Sequence, residues 1–99
     1  MMITTKEEIL QTLKVLKPEL QTGYKVKAIG LFGSFIRGEQ SQTSDIDILV
    51  EFEAPIGLFK FLEREEYLEA RLGRKVDLVS RKALKPRIGR YILQEVLMI

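Results

Sequence analysis

The chain of 99 residues contains no cysteine, no histidine and no tryptophan. These absences exclude disulfides, cysteine or histidine nucleophiles, and the zinc sites usually built from thiolates and imidazoles. A bound metal would need oxygen ligands, which favour Mg²⁺, Mn²⁺ or Ca²⁺. No apolar run approaches the roughly 20 residues of a membrane span, and the opening MMITTKEEIL lacks the apolar core of a secretory signal. We therefore expect a cytoplasmic protein with no membrane partner.

A large excess of one charge is also missing, because 16 Lys and Arg oppose 14 Asp and Glu for a net charge of +2. This value gives no argument for nucleic-acid binding, and we expect none. The charges are unevenly spread, since residues 81–90 hold five basic and no acidic side chains, whereas residues 63–69 are mostly acidic. A solvated face is the plainest reading of the basic run, with an acidic partner, nucleotide phosphates or RNA as alternatives.

The length and the 45% apolar content predict one globular domain over residues 1–99. Thr5 and Glu8 form a capping-box pattern that begins a helix, which Pro18 is expected to kink or end. Its apolar positions are Ile9, Leu13, Leu16 and Leu20.

Strands are predicted at 24–34, 45–52 and 75–80, with a short helix or turn and a polar loop after the first. A helix over 57–72 is expected to bury Leu58, Phe61, Leu62, Leu68 and Leu72. A last helix from about 83 carries Leu84, Ile88, Tyr91, Ile92, Val96 and Ile99 on its apolar side. This order predicts an α/β (α+β) fold, with a small mixed β-sheet flanked by helices.

Two acidic residues stand at the start of the predicted strand 45–52, where Asp is disfavoured. On one face of a strand, Asp45 and Asp47 would lie roughly 6–7 Å apart. Their repulsion would cost on the order of 2–3 kcal/mol at an effective dielectric of about 20. A divalent cation between the carboxylates would turn this repulsion into attraction. A solvated strand edge is the alternative.

Further polar residues extend this pattern. If strand 75–80 pairs beside strand 45–52, Asp77 joins the pair on one face, where it can ligate a metal and help deprotonate an attacking hydroxyl. Read alone, Asp77 is equally a surface strand residue. Gly33 and Ser34 lie at a strand-to-helix turn that can present N–H groups to an anion, although an ordinary helix cap is the simpler reading. Together the residues predict phosphoryl or nucleotidyl transfer from a metal–triphosphate.

Gly33-Ser34, ten residues, and Asp45-x-Asp47 resemble the signature of the DNA polymerase β-like nucleotidyltransferase superfamily. The whole chain is similar to its small members, the minimal nucleotidyltransferases. The resemblance implies the polymerase β-like fold, with Gly33 and Ser34 on the nucleotide phosphates. It also implies that the three aspartates bind two Mg²⁺ ions and act in catalysis: Asp45, Asp47 and Asp77. Arg37 matches a common family arginine that touches phosphate, or is a surface residue beside Glu39. Ile36 replaces a smaller family residue and is expected to change packing only.

The resemblance also implies a partner. Minimal nucleotidyltransferases are typically encoded with a HEPN-domain toxin, a small helical ribonuclease, and some transfer AMP from ATP to a toxin tyrosine. Because this chain has no room for an acceptor-binding domain, the acceptor must be a docked protein or be supported by a second copy. Met98 and Ile99 are candidate partner contacts. Three hypotheses follow: a Mg²⁺-dependent protein adenylyltransferase, a non-catalytic antitoxin that binds its toxin, and a transferase acting on small hydroxylated molecules.

Overall fold

The computed structural model describes residues 3–99, in which helices and strands alternate. The elements are α1 (Lys6–Gly23), β1 (Val26–Phe32), α2 (Ser34–Arg37), β2 (Ile46–Phe52), α3 (Gly57–Leu72), β3 (Val76–Ser80), a 3₁₀ turn (Arg81–Ala83), α4 (Pro86–Glu95) and β4 (Leu97–Met98). The strands form one sheet in the order β3-β2-β1-β4. β1 is antiparallel to β2 and β4, whereas β2 and β3 are parallel. The predicted mixed sheet flanked by helices is confirmed.

Helix α1 begins as the capping box predicts. The Thr5 hydroxyl accepts from the Glu8 N–H (3.2 Å), and the Glu8 carboxylate accepts from the Thr5 N–H (3.1 Å). Its predicted apolar positions, Ile9, Leu13, Leu16 and Leu20, are all buried. Pro18 does not end the helix, which continues to Gly23. Burial of Leu20 beyond the proline stabilises the last turn and offsets the one backbone hydrogen bond that a proline cannot donate.

The two faces of β2 divide the apolar core from the acidic residues. Ile46, Ile48 and Val50 are buried in the core with residues of α1 and α3, as their alternation predicts. Asp47, Leu49 and Glu51 point to the other face. The strand begins at Ile46, so Asp45 precedes it instead of opening it as predicted.

Helix α3 buries only part of its predicted apolar face. Leu68 and Leu72 are buried, and Gly73 ends the helix in the left-handed conformation (φ 68°), as predicted. The expectation that Leu58 and Leu62 point inward is wrong, because they are 67% and 42% exposed. Phe61, in the same part of α3, is partly buried against the core as predicted, and the guanidinium of Arg64 is also buried. It donates to the carbonyls of Tyr24 (3.2 Å) and Lys60 (3.1 Å).

The C-terminal residues form an edge strand, and the predicted helix to the end of the chain is wrong. Pro86 occupies the first helical position of α4, which ends at Glu95. Residues 97–98 then pair with β1 across Gly30, where a Cβ would lie 2.6 Å from Met98 Sδ. The same Cβ would lie 2.8 Å from Val96 Cγ2 and 3.0 Å from the Leu97 carbonyl oxygen, so a glycine at position 30 favours the close approach of β4.

The expected partner contacts at the C-terminus differ in exposure. Met98 is 45% exposed. In contrast, Ile99 is partly buried against the core and its N–H donates to the Ile29 carbonyl (3.0 Å). No helix within residues 3–99 is long and apolar enough to cross a membrane.

Two leucines of α3 test the corrected packing. We expect Leu68→Ala to lower the free energy of unfolding by about 2–4 kcal/mol, because it leaves a cavity in the core. Leu58→Ala should change it by no more than about 0.5 kcal/mol, because that side chain is 67% exposed. Urea unfolding followed by circular dichroism measures both values, and equal losses would contradict the orientation of α3.

Candidate active site

Asp47 lies in the centre of the sheet between two neighbouring strands. It is the register partner of Phe32 in β1 and of Asp77 in β3. Because neighbouring strands are roughly 4.8 Å apart, paired residues leave the same face of the sheet side by side. The expectation that strand 75–80 lies beside the Asp45–Asp47 segment is therefore confirmed. Asp47 is half-buried, whereas Asp45 and Asp77 are exposed.

The charges around Asp47 oppose its ionisation. Burial, and then repulsion from Asp77 and Asp45, raises the pKa of Asp47 to about 6. Arg37 acts in the opposite direction, and Glu95 adds to the repulsion. A carboxylate in this position is stabilised by any nearby cation.

The aspartates are adjacent, but they do not form a preassembled metal cage. Within residues 3–99, no three acidic side chains are gathered closely enough to hold an ion. Like charge favours this separation, since Asp45 and Asp77 can extend into solvent. The donor set consists of carboxylate oxygens that form no ion pair within residues 3–99, and it suits a hard divalent cation.

Two glutamates of α3 hold the edge strand that carries Asp77. Glu69 Oε2 accepts from the Val76 N–H (3.0 Å), and Glu65 Oε2 accepts from the Leu78 N–H (2.9 Å). These N–H groups flank Asp77 on the outer edge of the sheet, where β2 cannot pair with them. The two contacts cover the open edge and fix the position of Asp77. The acidic character of residues 63–69 is evident from the sequence, but this role of Glu65 and Glu69 is not.

Gly33 follows β1 at the same end of the sheet as Asp47. Its φ of +82° favours glycine, and a Cβ at this position would lie 2.7 Å from Asp47 Cγ. The glycine therefore admits the close approach of the Asp47 carboxyl group as well as shaping the turn. Ser34 begins the short helix α2, and its hydroxyl has no hydrogen-bond partner among the described residues.

Glu95, at the end of α4, joins that helix to the Gly33 turn. Glu95 Oε2 accepts from the Gly33 N–H (2.8 Å), and Glu95 Oε1 accepts from Arg37 Nη1 (2.8 Å). Arg37 Nε also donates to Glu39 Oε1 (2.8 Å). These bonds raise the pKa of Arg37, first through Glu39 and then through Glu95. Burial raises the pKa of Glu95, but the bonds from Arg37 and Gly33 outweigh it and lower the net value.

Glu95 and Arg74 are site residues that were not predicted from the sequence. An acidic residue at the end of an apolar helix is a usable signal for Glu95, because the negative end of a helix dipole disfavours it. Arg74 holds the loop before Asp45 by donating to the carbonyls of Ser44 (2.6 Å) and Ser41 (2.5 Å), and it joins this loop to the N-terminal segment by donating to the carbonyl of Ile3 (2.9 Å). Its guanidinium also lies 5.1 Å from the centre of the Phe35 ring. No local pattern distinguishes this arginine from a surface residue.

A cavity of about 610 Å³ lies between the Gly33 turn and α4. Its walls bring together three of the predicted site residues, Gly33, Arg37 and Asp47, with Tyr91 and Glu95 of α4. The volume is within the usual range for small-molecule sites. The five basic side chains of residues 81–90 do not line this cavity: Arg81 pairs with Glu51 (3.5 Å), and the other four are exposed.

Comparisons of sequence and of structure find similarity to nucleotidyltransferases. Residues 13–99 match the model of the nucleotidyltransferase domain family. The chain is 48% identical to protein adenylyltransferase MntA of Thermococcus cleftensis over 100% of both chains. A solved structure of a protein proposed to be a minimal nucleotidyltransferase superposes with a TM-score of 0.81 and 30% identity, over 95% of each chain. A toxin–antitoxin crystal structure with AMP-PNP superposes with a TM-score of 0.70 and 25% sequence identity, over 96% of this chain and 72% of that one.

The raised pKa of Asp47 predicts a pH-dependent stability without metal. The folded state holds the Asp47 proton up to about pH 6, whereas the reference value is 3.8. Folding is therefore increasingly disfavoured as the pH rises through this window. In EDTA at pH 7.5, we expect Asp47→Asn to raise the free energy of unfolding by up to about 2 kcal/mol relative to the unaltered chain, after allowance for solvent screening. Near pH 4 the two proteins should be almost equally stable.

Thermal unfolding of both proteins at several pH values measures this gain. Glu66→Gln removes one exposed negative charge from α3 and serves as the matched control. An equal gain in that variant would trace the effect to net charge instead of the aspartate cluster.

Proposed function

The chain belongs to the nucleotidyltransferase domain family and is an enzyme of the nucleotidyltransferase type, and we propose that it transfers AMP from ATP to a hydroxyl group of a partner protein. The acceptor in this proposal is a tyrosine of a cognate HEPN-domain toxin, which the modification neutralises in the cytoplasm. Residues 1–99 act as a single domain. The observation that carries the proposal is the pairing of Asp47 with Asp77 beside the Gly33 turn.

Two similarities support this choice of reaction. The relative with 48% identity is a protein adenylyltransferase, which supports AMP as the transferred group and a protein as the acceptor. The toxin–antitoxin structure with AMP-PNP supports ATP as the donor. The resemblance noted from the sequence supports a HEPN-domain toxin as the partner.

The triphosphate of ATP is assigned to the groups around the Gly33 turn. The Gly33 N–H and the Ser34 hydroxyl donate to phosphate oxygens, and Arg37 adds a cationic donor, which makes charge-assisted bonds. The acceptor oxygen attacks the α-phosphorus and forms the new P–O bond. The bond from the α-phosphorus to the bridging oxygen breaks, and pyrophosphate leaves with that electron pair.

The three aspartates are assigned to metal binding and catalysis. Two Mg²⁺ ions would be held by three carboxylates, those of Asp45, Asp47 and Asp77. Bound Mg²⁺ would neutralise charge on the phosphates and lower the pKa of the acceptor hydroxyl. Asp77 is exposed and lies beside Asp47, so it can be reached by an acceptor from another molecule. It accepts the hydroxyl proton as the new bond forms.

An exposed apolar surface at the C-terminus favours a protein partner. Five large apolar side chains of α4 and β4 are 45–69% exposed: Ile88, Tyr91, Leu93, Leu97 and Met98. Two of them, Ile88 and Tyr91, line the same cavity as Asp47. This surface also supports the second candidate function, a non-catalytic antitoxin that neutralises its toxin by direct binding.

The first test is incubation with Mg²⁺, ATP and the partner encoded next to this chain, followed by intact mass spectrometry of both proteins. We expect the partner to gain one or more AMP units. Asp45→Asn with Asp47→Asn should reduce the rate at least on the order of 10²–10³-fold, because charge stabilisation at the phosphates is lost. Glu66→Gln, on the exposed side of α3, should retain full activity.

The two candidate functions predict different results. Transfer that persists in the double aspartate variant would show that the metal-binding assignment is wrong. A partner that stays unmodified while it co-purifies in a tight complex would replace the enzyme proposal by direct binding.

A further inference from the structure

Glu95 contacts the same groups that the proposed function assigns to the triphosphate. Its two carboxylate oxygens accept from the Gly33 N–H and from Arg37 Nη1, each at 2.8 Å. A backbone N–H has one proton to donate, so the Gly33 N–H cannot bind Glu95 and a phosphate oxygen at full strength together. Glu95 and the triphosphate therefore compete for one position.

The place of Glu95 is unfavourable by other electrostatic criteria. It is the last residue of α4, where the partial negative charge of the helix C-terminus opposes a carboxylate. Its charge also adds to the repulsion at Asp47. The contacts with Gly33 and Arg37 are what compensate a carboxylate at this position.

Helix α4 is held over the cavity by few other contacts. Gly89 is its single buried residue within the described chain. Ile88 and Tyr91 of the same helix are 58% and 69% exposed. Apart from the pairing of β4 with β1, the two bonds of Glu95 are the polar contacts that hold the end of α4 against the Gly33 turn.

We propose that Glu95 is a carboxylate latch that occupies the phosphate position at Gly33 and Arg37 until the triphosphate of the nucleotide displaces it. Displacement frees the end of α4 from the turn, so nucleotide entry and the position of the exposed α4 surface are coupled. The inference rests on the proposed function, because it takes the Gly33 turn as the phosphate site.

The test is the dissociation constant of AMP-PNP with MgCl₂, measured by calorimetry for the unaltered chain, Glu95→Gln and Glu95→Ala. A latch lowers the apparent affinity by the fraction of molecules that are open. We expect at least about fivefold tighter binding in both variants, as for a latch closed about four-fifths of the time. A residue that only supports the fold or binds nucleotide would give weaker binding when it is replaced.

Two probes and one control variant sharpen the result. Inorganic tripolyphosphate should show the same gain as AMP-PNP, and adenosine should show none, because only phosphate competes with a carboxylate. Glu39→Gln removes the other carboxylate on Arg37, which makes no contact with the Gly33 N–H. Its effect should be clearly smaller, and an equal gain would reassign the effect to the charge of Arg37.

The outcomes separate the latch from the proposed function. AMP-PNP that binds equally or more weakly in both Glu95 variants, with circular dichroism spectra unchanged, overturns the latch and leaves the nucleotide site in place. Absence of AMP-PNP binding in all of the proteins overturns the latch together with the proposed function. Binding that is detected in the Glu95 variants alone supports the latch.

Discussion

The parallel pairing of β2 with β3 is the constraint on which the site depends, because it holds the carboxylates of Asp47 and Asp77 side by side. Their repulsion is offset by the neighbours of each aspartate along the chain. Ile46 and Ile48 on one strand, and Val76 and Leu78 on the other, are at most 5% exposed. Burial of each aliphatic side chain contributes about 1.5–3 kcal/mol, so four of them exceed the cost of one repulsive pair. The acidic face exists because the opposite face of the same strands is core.

The rest of the site has two parts: a frame of side chains that hold β3 and the loop before Asp45, and the helix α4, which has few contacts with the rest of the site and is called the cover. The frame includes Glu65 and Glu69, which fix the edge strand on both sides of Asp77, and Arg74, which holds the loop before Asp45. Each of these contacts joins a side chain to backbone, and none involves the groups assigned to nucleotide. The cover is α4, which contacts the frame at the Gly33 turn through Glu95. Nucleotidyl transfer needs carboxylates in fixed positions and a site that an acceptor can reach. The frame fixes the carboxylates, and a weakly held α4 leaves the site accessible.

The amino-acid sequence predicts those features that depend on local patterns. Three such features are the capping box of α1, the alternation of buried and exposed residues along β2, and the strand-to-helix turn at Gly33. Each can be predicted from a few neighbouring residues. The aspartates are conspicuous for the same reason, since Asp45 and Asp47 stand at the start of a largely apolar segment. The sequence offered the pairing of strand 75–80 with this segment only as a condition, and its parallel direction comes from the structure.

The features that the sequence predicted wrongly, or did not predict, depend on contacts between residues far apart in the chain. Leu58 and Leu62 have helical spacing, but their burial depends on which distant residues pack against each side of α3. The end of the chain pairs as a strand because Gly30, far away in sequence, leaves room for Met98. Glu95 bonds to Gly33 across 62 residues, and no window of sequence contains both.

The acidic residues of the chain divide by the partners they have. Glu65, Glu69 and Glu95 all accept from backbone N–H groups, so their charge is used within the fold. The chain has three aspartates, Asp45, Asp47 and Asp77, and within residues 3–99 none of them forms an ion pair. Folding thus gives these three glutamates hydrogen-bond donors, whereas the three aspartates have no ion-pair partner within residues 3–99. A cation from outside the chain can supply a counter-charge there, which is why the carboxylates that repel one another are the ones to which the proposed function assigns metal binding.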